Sequence, residues 1–302
     1  MNPIQQQRLA RFVDREGEMH SFCHMLDDPD CLRPVMMVWG EGGMGKSSLL
    51  LRMMHEASLR GLLKAEVIWT ETRNPDYLTA MRIIRDDIGA TSFGAFTQLI
   101  NFFTNPNAPH RVELIIDTKG SINVGQGVQV LPSGNVGTIT GVEIRDLMLM
   151  VPRSDLGISD ADRMARLTDQ FICDLNGVAA QKKIIVFLDA VEKASEATTR
   201  WIWGELFNAL REGRLVNVNF VISGRTEPPN DDVWRPLINE KQLSPLNKAH
   251  ILEYLNKRNC DPGAAARDSV ADWILVMSGG NPLKIANAVE LMTRKRAEDS
   301  AK

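Results

Sequence analysis

The chain has 302 residues, of which 44% are apolar, so it is long enough for a large α/β domain and a smaller one. Its formal net charge of −3 gives no sign of binding to nucleic acid or to an acidic membrane. The four cysteines are far apart and form no C-x-x-C pair, which argues against a disulfide framework. No apolar run approaches the roughly 18–20 residues of a membrane span, and the first residues contain no signal-peptide core. We therefore expect a cytoplasmic protein.

The first strong motif follows a short N-terminal helical pattern. An apolar run at 35–39 predicts a buried strand, and the stretch after it fits the pattern G-x-x-x-x-G-K-[ST]. The matching residues are Gly40, Glu41, Gly42, Gly43, Met44, Gly45, Lys46 and Ser47. A helix is predicted from Ser48, so the motif has the strand–loop–helix setting of a phosphate-binding P-loop. The alternative, a glycine-rich turn without a ligand, is much less compatible with the Lys-Ser pair and the flanking elements.

The chemistry of a P-loop follows from its backbone. Glycines let the chain wrap an anion, so that successive N–H groups through Ser48 point into one cup, and the helix N-terminus adds positive potential. We expect Lys46 to contact the β- and γ-phosphates of a nucleotide. The Ser47 hydroxyl is the expected ligand of Mg²⁺.

Strand and helix patterns alternate after the P-loop, with a strand at 64–70 and helices at 74–89 and 93–104. Residues 111–144 differ, because six glycines separate short β-branched runs there. We predict an inserted β-hairpin or small meander in this stretch, with a flexible loop as the alternative.

The next helix begins near Ser159 and precedes the apolar run 182–189, which ends in a carboxylate. A continuous apolar run is typical of a parallel strand covered on both faces, and ligands bind at the carboxyl ends of such strands. We therefore predict that Asp189 is the Walker B aspartate, acting on Mg²⁺ or its waters. The run 112–117 ends in Asp117 and is a rival, but the glycine-rich stretch follows it instead of another acid and strand.

Two further polar residues are candidates for the same site. Glu192 could polarise an attacking water as a general base, and the alternative is a solvated loop acid. Arg225 follows the predicted strand 216–223 at its carboxyl end, and the alternative is an ordinary surface arginine. In the helix at 195–211, Trp201 and Trp203 cannot share a face, so one of them is expected to be exposed or at an interface. From about residue 231 the pattern is helical, and we expect the sheet to be complete.

Five segments in this order resemble STAND-class P-loop ATPases, which are related to AAA ATPases. These are the entry segment RFVDREGEM at 11–19, the P-loop, DAVEK at 189–193, GRT at 224–226, and the pair LSPL and GNP at 243–246 and 280–282. DAVEK resembles the NACHT branch, although Lys193 replaces the usual second acid, and Asp14 stands where the family usually has glycine. The resemblance implies that Arg15 and Pro282 lie near the adenine and that Arg225 lies near the γ-phosphate.

These observations together predict an α/β fold of the P-loop NTPase kind, with helices on both faces of a parallel sheet. Residues 1–230 would form the core with the insert at 111–144, and 231–302 a helical lid. We predict an ATP-binding switch that hydrolyses ATP slowly using Lys46, Asp189, Glu192 and Arg225, with Mg²⁺ on Ser47 and Asp189. By the family resemblance, nucleotide state would gate homo-oligomerisation and capture of a protein partner. The alternatives are an AAA-type motor or loader acting on nucleic acid or protein, and a non-catalytic module that holds ADP.

Overall fold

The computed structural model describes residues 2–28, 31–104, 110–111, 129–131, 148–150, 159–228, 232–258, 260 and 264–300. The chain divides into two compact units, Met1–Ala90 together with Asn176–Lys302, and Thr91–Leu175. Within these described ranges, no helix combines the length and the apolar character that crossing a membrane requires.

The first unit begins with alternating helices and strands. They are α1 (Pro3–Ala10), α2 (Glu16–Asp27), β1 (Val35–Trp39), α3 (Lys46–Leu59), β2 (Leu63–Ile68) and α4 (Tyr77–Ile88). The strand β1 has the bounds that its apolar run predicts. Helix α1 was not predicted, although Asn2 and Gln5 form a capping box at its start.

The described residues of the second unit include two α-helices and three short strands. They are α5 (Gly94–Thr104), β3 (His110–Arg111), β4 (Gln129–Leu131), β5 (Met148–Met150) and α6 (Asp160–Ala179), the last turn of which belongs to the first unit. The rings of Phe93 and Phe96 both pack on Phe171, which joins the start of α5 to α6.

The three short strands form an antiparallel sheet in the order β3-β5-β4. A meander would place β4 between β3 and β5, so this order is not that of a meander. The consecutive strands β4 and β5 pair antiparallel, as in a β-hairpin, and β5 lies past the predicted end of the insert at residue 144. Residues 112–128 and 132–147, which hold most of the short β-branched runs and the rival run 112–117, lie outside the described residues.

The first unit continues through three more strands and five more helices. They are β6 (Ile184–Asp189), α7 (Glu196–Arg200), α8 (Phe207–Arg211), β7 (Val218–Gly224), β8 (Ile238–Gln242), α9 (Lys248–Lys257), α10 (Ala264–Ser278) and α11 (Pro282–Ser300). Between α7 and α8 the chain stays helical as a π-helical segment, Trp201–Leu206. Trp201 is fully buried, whereas Trp203 is partly exposed and packs edge-to-face on Phe207 and Trp234. The two tryptophans therefore do face different environments.

The central sheet has five parallel strands in the order β2-β6-β7-β1-β8. Every residue of β6 and β7 is buried, as expected for apolar strands covered on both faces. The expectation that the sheet is complete before residue 231 is wrong, because β8 pairs with β1 from Ile238 to Gln242. Only the first residue of β8 is buried, so this edge strand lacks the apolar run that identified the inner strands.

Among its described residues, the first unit contains at least two apolar cores. One forms between α2, α3 and the sheet and includes Phe22, Leu49, Met53 and Phe187. The other holds the C-terminal helices together. Its fully buried side chains are Ile251, Leu255, Ala271, Ile274 and Val289.

Because all five strands run in one direction, their carboxyl ends lie along one edge of the sheet. Trp39, Asp189 and Gly224 end three neighbouring strands of this edge. The segments that follow these residues carry most of the predicted site.

Candidate nucleotide-binding site

The glycine-rich loop joins β1 to α3 as its pattern predicts. Gly40, Gly43 and Gly45 adopt positive φ angles of 151°, 82° and 90°, a region that other residues rarely occupy. Gly45 ends the loop as the residue before the first turn of α3. Met44 is buried in the core, so its side chain anchors the loop and only its backbone is available to a ligand. Ser47 is exposed at the helix start, and Ser48 is half-buried beside it.

Lys46 folds back over its own loop. Its ammonium group donates hydrogen bonds to the carbonyl oxygens of Gly40 and Glu41, at 2.6 and 2.8 Å. Burial lowers the pKa of Lys46, and the neighbouring carboxylates of Glu192 and Asp189 oppose that shift. The lysine therefore lies within electrostatic range of both predicted acids.

Asp189 ends β6 with only 6% of its surface exposed. Its carboxylate accepts a hydrogen bond from the hydroxyl of Ser223, on the neighbouring strand β7. The same hydroxyl accepts from the backbone N–H of Ala190 at 3.0 Å. One serine thus fixes both the carboxylate and the turn that follows it.

Glu192 lies in a short 3-10 turn, Val191–Lys193, that begins after Ala190 in a left-handed conformation. One carboxylate oxygen, Oε1, is 3.3 Å from the Arg225 Nε. The other, Oε2, is buried and has no hydrogen-bond partner among the described residues. A buried acceptor without a partner is rare and costly, which singles this oxygen out as a candidate acceptor for a bound group.

Arg225 follows β7 and keeps 58% of its side chain exposed. Its guanidinium lies beside the P-loop, since a Cβ added at Gly42 would be 3.9 Å from Nη2. The arginine therefore stands between the P-loop and Glu192 at the carboxyl edge of the sheet.

The N-terminus of α11 contacts the P-loop directly. The Asn281 side chain caps the helix by accepting from the N–H groups of Leu283 and Lys284, at 3.1 and 3.3 Å. Its amide nitrogen donates to the Gly42 carbonyl at 3.0 Å, and the Leu283 N–H donates to the Gly43 carbonyl at 3.1 Å. Pro282 also reaches the loop, because a Cβ at Gly45 would lie 3.9 Å from its Cγ.

Arg15 is buried, with 4% of its surface exposed. Its guanidinium donates to the carbonyl oxygens of Met44 and Ser244, at 3.3 and 2.8 Å, and it pairs with Asp14 at 3.2 Å. Asp14 and Arg15 both have left-handed backbone angles, φ 62° and 81°, which accounts for the family's usual glycine at the first of these positions.

The structure thus brings the predicted residues of the P-loop, Asp189, Glu192 and Arg225 to one edge of the sheet, with Arg15 and Pro282 against the P-loop. Two contributors were missed. Asn281 could have been found, because an asparagine before a proline at a helix start is an N-cap signal. Ser223 could not, because its contact with Asp189 depends on which strands are neighbours.

Comparison with known families decides the class of protein. The family model for the AAA ATPase domain matches residues 11–221, which is more than half of the chain. The chain belongs to the AAA ATPase domain family. Strand β8 and the C-terminal helices lie beyond the matched residues of this AAA domain. No curated protein matches this chain in sequence.

Solved structures show the same fold. A Walker-type ATPase of Pyrococcus abyssi superposes with a TM-score of 0.51 at 16% identity, covering 96% of this chain and 72% of that one. Cdc6p from Pyrobaculum aerophilum gives a TM-score of 0.52 at 12% identity, covering 96% of this chain and 64% of that one. A STAND protein with a tetratricopeptide repeat sensor from Pyrococcus horikoshii gives a TM-score of 0.41 at 12% identity, covering 91% of this chain and 29% of that one. The first two likenesses, with the five-stranded parallel sheet, show that this AAA domain has the α/β fold of P-loop NTPases.

Proposed function

We propose that this AAA domain binds ATP with Mg²⁺ at the P-loop and hydrolyses it slowly, and that its nucleotide state gates self-assembly. The observation that carries the catalytic part is the gathering of Lys46, Asp189, Glu192 and Arg225 at one edge of the sheet. The observation that supports the switch is the direct bonding of α11 to the P-loop.

The residues present fit a magnesium nucleotide. The loop offers backbone N–H groups at a helix N-terminus, and Lys46 supplies a cation to the β- and γ-phosphates. The Ser47 hydroxyl and the Asp189 carboxylate are oxygen ligands, which Mg²⁺ prefers. Mg²⁺ would neutralise phosphate charge as it develops in phosphoryl transfer.

Glu192 is the proposed general base. Its partnerless oxygen Oε2 can accept a hydrogen bond from a water, as a base must. Its other oxygen is held by Arg225, which orients the carboxylate. Lys193 stands in place of the second acid of the NACHT pattern, and this supports slow turnover.

Arg225 is the proposed γ-phosphate sensor. It lies beside Gly42 of the P-loop and is more than half exposed, so its guanidinium can turn toward a third phosphate. If it does so, the pair with Glu192 weakens and the base is released. Under this proposal ATP and ADP produce different arrangements of the same two side chains.

The switch part depends on the C-terminal helices acting as a lid. These helices share an apolar core of their own, and they contact the P-loop through Asn281, Pro282 and Leu283. Pro282 would lie against the adenine, and Arg15 would support the P-loop from behind. A change in the P-loop on nucleotide exchange would therefore alter the position of the lid directly, through these contacts.

The test compares turnover with assembly. Phosphate release and light scattering are measured on the same samples, at several protein concentrations, with ATP and with ADP. The proposal expects slow turnover and a larger scattering particle in ATP than in ADP. Steady, fast turnover that requires ring assembly would favour a motor or loader, and ADP binding without any turnover would favour a non-catalytic module.

A further inference from the structure

The carbonyl groups of the P-loop are all satisfied, and the donors fall into two sets. The Lys46 ammonium, within the motif, donates to the carbonyls of Gly40 and Glu41. The Leu49 N–H, in α3, donates to the Gly45 carbonyl. The three carbonyls between them are bonded from outside the motif. Their donors are the Asn281 side chain for Gly42, the Leu283 N–H for Gly43 and the Arg15 guanidinium for Met44.

A peptide plane links each carbonyl to the next residue's N–H, and the two bonds point in opposite directions. The carbonyls of Gly42, Gly43 and Met44 point toward their hydrogen-bond donors. The N–H groups of the residues that follow them therefore point away from those donors. In the part of the chain that the structure describes, the N–H groups of Gly43, Met44 and Gly45 donate to no protein acceptor. Three neighbouring free N–H groups are the arrangement that binds an anion.

The contact between lid and loop is close. A Cβ at Gly43 would lie 2.7 Å from the Asn281 Oδ1 and 3.0 Å from the Leu283 Cβ, so no other residue fits there without a shift. Arg15 extends the connection, since the nitrogen that donates to Met44 also donates to Ser244, in the segment between β8 and α9. Ordering of the loop thus depends on where the lid segment lies.

We infer that Asn281, with the Leu283 N–H and Arg15, is a positioning residue that holds the P-loop N–H groups in their phosphate-binding orientation. The inference rests on the proposed nucleotide binding at this loop. It adds that lid docking and nucleotide affinity are reciprocally coupled, because each favours the same loop conformation. The lid would then raise the affinity for the phosphates without touching them.

The test is Asn281→Ser, measured by calorimetric titration with Mg·ADP. Serine caps a helix about as well as asparagine but lacks the amide donor that reaches the Gly42 carbonyl. We expect the affinity for ADP to fall by roughly three- to tenfold, the effect of one neutral hydrogen bond. Asn247→Ser is the matched control, because Asn247 caps α9 in the same way and its variant should bind ADP like the parent.

A second measurement needs no variant. Saturating ADP should slow hydrogen exchange at the Leu283 N–H in the parent protein, whereas the Leu62 N–H, bonded to Ala57 at the far end of α3, should not change. Equal ADP affinity in the parent and in Asn281→Ser, or unchanged exchange at Leu283, would overturn the inference alone. Failure of the parent to bind ADP would instead remove the proposed function, and the inference with it.

Discussion

The Arg225 Nε lies 3.3 Å from the Glu192 Oε1, so the residue at the end of β7 and the acid after β6 form an ion pair beside the P-loop. The pair joins two neighbouring strands, and it leaves the other oxygen of Glu192 buried without a partner. An arginine that is bonded to the candidate base cannot at the same time bind a γ-phosphate with the same nitrogen. Under the proposed function, a γ-phosphate would draw Arg225 away from Glu192, and this would distinguish ATP from ADP.

The variant Arg225→Ala tests whether Arg225 distinguishes ATP from ADP. If Arg225 contacts the third phosphate, its loss should weaken ATP binding by roughly ten- to hundredfold, since hydrogen bonds to charged groups contribute about 1.5–3 kcal/mol. ADP affinity should stay within about twofold of the parent. Titration calorimetry with both nucleotides measures the difference. Arg200→Ala is the control, because Arg200 forms only an exposed pair with Glu196; equal losses for ATP and ADP in Arg225→Ala would contradict the sensor role.

Glu192→Gln tests the base. Glutamine keeps the shape of the side chain and cannot accept a proton, so nucleotide affinity should be retained while single-turnover hydrolysis slows by about 10²–10⁴-fold. Rapid-quench measurement of phosphate release from ³²P-labelled ATP gives the rate. Glu196→Gln, a change at an exposed acid of α7, should hydrolyse like the parent. A parental rate in Glu192→Gln would assign the base to another group.

Two neighbouring glycines between α10 and α11 allow the cost of backbone strain to be measured separately from the cost of a steric clash. Gly279 and Gly280 have similar φ angles, 59° and 75°. A Cβ at Gly280 would lie 2.4 Å from the Leu246 carbonyl oxygen, whereas a Cβ at Gly279 would meet nothing within 4 Å. Alanine at either position costs about 1–2 kcal/mol for the left-handed backbone, and overpacking at Gly280 adds about 1–3 kcal/mol.

Gly280→Ala should therefore unfold at a clearly lower denaturant concentration than Gly279→Ala. It should also lose nucleotide affinity, because the Pro245–Leu246 turn and the start of α11 are displaced together. Chemical unfolding monitored by tryptophan fluorescence, with parallel ADP titrations, measures both effects. Equal unfolding midpoints for the two variants would show that the segment moves freely and that the lid is not tightly docked.

Glu66 gives a prediction for pH. Burial raises the pKa of the Glu66 carboxyl, and the nearby Asp189 and Asp87 carboxylates add to the shift. An acid whose pKa is raised in the folded state binds its proton more tightly in the native protein than in the unfolded chain. The native state therefore loses stability as the pH rises above the unfolded-state pKa. The loss is complete once the pH exceeds the folded-state pKa. Glu66→Gln should raise the melting temperature at pH 7 and leave it unchanged well below pH 4. Glu71→Gln, at an exposed position in the next loop, is the control; a Glu66→Gln benefit that persists in acid would contradict the electrostatic explanation.

The parts of the site that the sequence predicted are those whose signal is local. The P-loop pattern, the apolar run ending in Asp189 and the run before Arg225 each carry their evidence within about eight residues. Strand β8 was missed because an edge strand with one buried residue has no apolar run to distinguish it from a loop. The contact of Asn281 with Gly42 spans 239 positions, and no periodicity in the sequence records it.

The difference between local and long-range signals also explains why the segment of Arg15 could be predicted but its contacts could not. Its position before the P-loop indicated a role in nucleotide binding, and by family resemblance it was expected near the adenine. In the structure its guanidinium is bonded to Met44 and Ser244, so its direct partner is the loop. A sequence can identify which segment serves a site, but which atom of that segment meets which atom of the site depends on packing.

The most direct test of the account is titration of Mg·ATP and Mg·ADP into the parent protein and into Lys46→Ala, with melting curves to show that both are folded. Lys46 contributes little to packing, and Lys182→Ala, at an exposed lysine before β6, is the control. The parent and Lys182→Ala should bind both nucleotides, and folded Lys46→Ala should lose about 1.5–3 kcal/mol of binding free energy, roughly ten- to hundredfold in affinity. Unchanged affinity in folded Lys46→Ala would contradict the assignment of the nucleotide site to the P-loop.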